Sequence, residues 1–156
     1  MHGIVAVWTV AAGLLGQTPD TPRWHTDYGA ALAATKQSQR PLLVVIDDPS
    51  KPDHRIEQIS RGDDRTGAEL LAAYELCHID DTTRYGKQVA AAFKVREYPH
   101  TAIIDRTGSV ILHQETGRFT TDRWVATLAT YRSGVYRAVE RVERAETVRS
   151  GRICFG

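Results

Sequence analysis

The chain has 156 residues, 42% hydrophobic and 25% charged, which suits one domain with a substantial core and excludes a disordered chain. A formal net charge of +1 leaves no global field to draw it to nucleic acid or an anionic membrane. Its two cysteines, Cys77 and Cys154, are too few for a disulfide scaffold and lack Cys-x-x-Cys or metal-ligand spacing; a single bridge would require the two regions to meet.

Gly3 to Gly16 is apolar and uncharged, and Gln17-Thr18-Pro19-Asp20-Thr21-Pro22 breaks it. The run falls short of the ~20 residues that span a bilayer and matches the apolar region of a secretory signal peptide. The expectation is a signal peptide and linker over 1–22, a mature start near Gln17 and an exported protein, periplasmic or extracellular. An uncleaved N-terminal anchor and a buried N-terminal strand or helix stay open, because no Lys or Arg precedes the run.

The alanine-rich stretch Asp27 to Gln39 predicts a helix capped by Thr26 or Asp27 and stopped by Pro41. Leu42-Leu43-Val44-Val45-Ile46 is apolar without alternation, as in a strand buried on both faces. Asp53 is placed to cap a helix through Ile56 and Ile59, interrupted at Gly62-Asp63-Asp64 and resumed over Thr66 to Ala73. Tyr74 to Asp80 is the second strand, and Thr82 or Thr83 opens a helix with Val89, Ala92 and Phe93 inward. After the connector Val95 to Pro99, His100 to Asp105 and Ser109 to Gln114 flank Arg106-Thr107-Gly108 as a hairpin. Thr120 or Thr121 caps a helix through Trp124, Val125 and Leu128. A charged amphipathic helix follows Gly134, with Val135, Ala138, Val139, Val142 and Ala145 on one stripe. Two strands joined through a helix lie parallel, and the hairpin adds antiparallel strands at one edge. The fold class is α/β, a mixed central sheet with helices on both faces.

Trp24-His25-Thr26-Asp27-Tyr28-Gly29-Ala30-Ala31-Leu32, then Arg40-Pro41-Leu42-Leu43-Val44, resembles the opening of bacterial thioredoxin-like domains. Val95-Arg96-Glu97-Tyr98-Pro99-His100-Thr101 is similar to that family's Val-x-x-x-Pro-Thr segment, and Asp105-Arg106-Thr107-Gly108 to its Asp-x-x-Gly hairpin. The resemblance covers roughly Trp24 to Tyr131 and implies a three-layer thioredoxin-like domain over 23–132, with 133–156 as a helical extension and tail. It also implies a cis bond before Pro99 and a backbone edge there that pairs with extended partner chains.

The chain departs from the family at the chemistry. Redox-active members carry Trp-Cys-x-x-Cys after the first central strand, which here falls over Ser50-Lys51-Pro52-Asp53-His54. No cysteine occurs from Asp47 to Ser60, and the acidic position many members bury behind the motif falls near Val45. Exchange needs an attacking thiolate and a resolving thiol, so dithiol–disulfide oxidoreductase activity is not expected.

The expected function is therefore a redox-inactive module that binds a protein or peptide, with Tyr98, Pro99, Lys51 and His54 as the binding residues. Lys51 and His54 occupy the vacated turn, where a helix N-terminus would favour anions and His54 could move a proton. Asp47, Asp48, Asp80 and Asp81 lie at the carboxyl ends of the two parallel strands, where ligands often bind and oxygen-rich clusters can hold Ca²⁺ or Mg²⁺, but capping and solvated strand ends are the expected reading. His78, His100 and His113 fall on three strands with no metal spacing, so no metal, no catalytic residue and no cofactor is expected. No nucleic-acid partner and no membrane span in the mature chain are expected. Two alternatives stand beside binding: an enzyme of another class using Lys51 and His54, and a structural or assembly domain acting through the C-terminal helix.

Overall fold

The computed structural model describes residues 23–56 and 65–135. The leader expected over 1–22, nearly all of the helix expected after Gly134, and Cys154 lie outside the described residues.

Five strands form one sheet in the order β1-β3-β2-β4-β5. They are β1 (Trp24–His25), β2 (Leu42–Asp47), β3 (Glu75–Asp80), β4 (His100–Ile104) and β5 (Ile111–Thr116). Strand β3 runs parallel to β1 and β2, and β4 runs antiparallel to both β2 and β5. Among the described residues four helices cover the sheet: α1 (Tyr28–Ser38), α2 (Arg65–Leu71), α3 (Arg84–Ala92) and α4 (Thr121–Tyr131). The period of two along β2 divides the core. Leu42, Val44 and Ile46 pack with Ala31 of α1 and with Val89 and Ala90 of α3. Leu43 and Val45 pack on the other face with Leu71 of α2 and with Trp124 and Leu128 of α4. Every residue of β2 is buried, as an unalternating apolar run requires of a central strand.

Short-range chemistry sets the element ends. Asp27 accepts a hydrogen bond from the Ala30 amide at 2.7 Å and caps α1, Thr83 caps α3 at the Gly86 amide, and Thr120 caps α4. The Asp105 carboxylate accepts from the amides of Ser109 and Val110 at 2.8 and 2.9 Å, while the Thr107 hydroxyl donates to its other oxygen. Those bonds hold Ser109 and Val110 in the turn. For that reason β5 begins at Ile111 rather than at the expected Ser109, and runs to Thr116.

Two sequence expectations are corrected. The helix expected from Asp53 through Ile56 and Ile59 is a single 3₁₀ turn, Pro52–His54, within the described residues. Arg55 is extended, with its guanidinium donating back to the Pro49 carbonyl, so the helix stops after one turn. Asp53 is not its cap; its carboxylate lies 3.2 Å from the Arg118 guanidinium instead. The second correction is β1, which sequence reading did not find. Its register is Trp24 against Leu76 and His25 against Cys77, and two residues are too few to show alternation.

Candidate functional site

Strand order places the ends of β2 and β3 beside the start of β4. The connector after β2, the Asp80–Asp81 turn after β3 and the Tyr98-Pro99 step therefore meet at one end of the sheet. The Tyr98-Pro99 peptide bond is cis. Pro99 is fully buried, and its carbonyl accepts from the Gly117 amide at 2.8 Å. The proline side chain thus offers no surface of its own, and what it presents is the residue before it.

Tyr98 lies half-buried and stacked on His54, with ring centroids 5.6 Å apart and planes inclined by 25°. Its phenol is pushed up to about 12 by burial, by a hydrogen bond to the Asp81 carboxylate and by the charges of Asp81 and Asp48. It stays protonated at neutral pH and acts as a donor, not as a base. Among the described residues, neither the backbone N–H nor the C=O of Tyr98 makes a backbone hydrogen bond.

Lys51 pairs with a neighbouring carboxylate. Its Nζ lies 3.3 Å from Asp48 Oδ2, and the side chain is otherwise exposed. The Asp48 carboxyl is lowered by the hydroxyl and amide of Ser50 and by Lys51, against its own burial. A three-residue 3₁₀ turn stands where a helix N-terminus was expected, so the anion site imagined there has no helix behind it. His54 carries a buried Nδ1 without a partner. The structure brings together Tyr98, Pro99 and His54 of the four expected residues, and leaves Lys51 to Asp48.

The remaining acidic groups are engaged locally. Asp47 Oδ1 lies 2.7 Å from His78 Nε2, and Asp80 accepts from the amide and hydroxyl of Thr82. Among the described residues no three His, Cys, Asp or Glu are grouped to hold a metal ion. Cys77 is fully buried under α1, and burial pushes its thiol up to about 12, with Asp27 adding to the shift. Sequence reading missed two residues of this region. Asp81 appeared only as a strand-end carboxylate, and Arg118 carried no signal, because its pairing with Asp53 spans 65 residues.

A family model described as thioredoxin-like matches residues 23–106. No curated protein matches the chain in sequence. Among solved structures, a thioredoxin from Thermus thermophilus is similar at a TM-score of 0.59 and 19% identity, over 70% of this chain and 86% of that one. A protein described as DsbH oxidoreductase is similar at 0.52 and 14%, over 87% of this chain and 96% of its own. Thioredoxin NaTrxh from Nicotiana alata is similar at 0.52 and 13%, over 70% and 90%. At these identities the likeness concerns the fold alone.

Proposed function

The chain belongs to the thioredoxin-like family, and we propose that within it this is a redox-inactive module that docks an extended protein or peptide segment outside the cytoplasm. The observation that carries the reading is the unpaired backbone of Tyr98 between the His54 ring and the sheet end. One N–H and one C=O facing an extended chain give it the pairing of a strand edge, and flanking rings favour an apolar or aromatic side chain beside it. The absence of cysteine from Asp47 to Ser60, together with the burial of Cys77, supports the redox-inactive part. The apolar leader supports the exported part.

Two measurements test the proposal. Displayed random peptides panned against the full chain should yield binders that His54→Ala and Tyr98→Ala weaken roughly tenfold, with both variants still folded by circular dichroism at the assay temperature. Catalytic reduction of insulin by the pure protein would overturn the redox-inactive part. Peptide binding indifferent to both substitutions would overturn the site.

A further inference from the structure

Outside that site an open groove of about 800 Å³ lies on the α1–α3 face of the sheet, over the β4–β5 hairpin. Tyr28 at the start of α1 and Phe93 at the end of α3 form one wall, their rings edge-on at 5.4 Å. Ile111 of β5 stands opposite, and Lys94 and Arg96 lie along the rim. None of the nine lining residues is acidic.

The charge of the lining defines the character of a ligand. Lys94 and Arg96 are exposed and make no ion pair among the described residues, so two positive charges face the groove unneutralised. Lys94 also sits in a left-handed conformation, φ 57°, where α3 ends. The Lys94 amide donates to Ala91 and the Val95 amide to Ala90, at 3.1 and 3.0 Å, a helix stop that glycine ordinarily supplies. The lysine there places a cation where the chain leaves α3. His100 also lies in the groove lining, at 5% exposure. Thr116 Oγ1 holds its Nδ1 at 3.0 Å, and its Nε2 has no partner. That Nε2 has under 1 Å² of accessible surface, so protein packs over it and it is not open to the groove.

We propose that this groove binds a small aromatic carboxylic acid. The aryl body lies between the Tyr28–Phe93 wall and Ile111, and the carboxylate lies on Lys94 and Arg96. An aliphatic acid would lack the aromatic contact, and a neutral aromatic would leave both cations unused.

The test uses 2-naphthoate and its neutral amide, 2-naphthamide, titrated into the full-length protein. Amide chemical shifts locate binding and calorimetry measures it. Naphthoate should saturate with a Kd below ~1 mM, shift Lys94, Arg96 and Gln114, and bind at least tenfold more tightly than the amide. The double variant Lys94→Ala/Arg96→Ala should lose that tenfold preference while leaving amide binding unchanged. Alanine tolerates the left-handed position no worse than lysine, so the fold is not at stake. Three results would overturn the proposal: no saturable shifts up to about 10 mM, equal binding of acid and amide, or shifts confined to His54 and Tyr98. The inference stands apart from peptide docking at Tyr98, and neither result decides the other.

Discussion

Gly86 offers the sharpest test of how the molecule is packed. It lies in the first turn of α3, where the helix presses against the end of β3. A Cβ at this position would lie 1.9 Å from the Asp80 carbonyl oxygen, 2.6 Å from its carbonyl carbon and 3.0 Å from Asp81 Cα. All three are backbone atoms, so no side chain can swing aside. An ordinary carbon–oxygen contact would need a displacement of about 1.4 Å. Such a shift would pull Val89 and Ala90 from the core, where they are 7% and 4% exposed. Overpacking of this kind costs typically 1–3 kcal/mol and occasionally more. With no room to relax, Gly86→Ala belongs at or above ~3 kcal/mol, offset by about 1 kcal/mol of helix propensity. The net loss of ~2 kcal/mol or more should lower Tm by roughly 10 °C, read by far-ultraviolet circular dichroism.

Gly29→Ala is the control. Its Cβ would meet only the Asp27 Oδ1 atom, at 3.2 Å, and the same propensity gain should leave it within about 1 kcal/mol of the parent. A Gly86→Ala protein as stable as the parent would refute the reasoning. It would mean that α3 is not seated on the β3 end, and the placement of Phe93 and Tyr98 that depends on α3 would fall with it.

Cys77 should resist alkylation in the folded protein and react freely once unfolded, because burial holds its thiol near 12. A Cys154→Ser variant treated with iodoacetamide and read by mass isolates the one thiol, and rapid native labelling would refute the placement. His78 gives a pH signature. Its hydrogen bond to Asp47 raises the folded value above the ordinary 6.5, against burial, so the stabilisation is full below 6.5 and lost as pH rises through the folded value. Relative to His78→Gln, the parent should therefore lose stability to urea as pH rises from about 6 to 9. A pH-independent difference would sink that account. Buried His100, whose value is lowered, is common to both proteins and cancels.

Much of the fold was legible because its signals are local. The caps at Asp27, Thr83 and Thr120 need only three following residues, and the Asp105 turn only five. The helix expected from Asp53 failed for an equally physical reason. Pro52 suits a helix start, but Arg55 found a better partner in the Pro49 carbonyl and took an extended conformation. Nothing in the sequence says that the Asp80 backbone passes within contact of Gly86.

The sequence by itself determined the α/β class, the doubly buried β2 and the lack of cysteine where exchange chemistry would need it. Each follows from residue type or short-range spacing. Only the tertiary structure decided that Pro99 is buried beneath the sheet end and that the His54 ring stacks on Tyr98. It alone also brought Lys94, Arg96 and His100 around one groove. These relations join residues far apart in the chain or on different elements. They are set by the order in which strands pair, which a single sequence encodes only through the packing of the whole core.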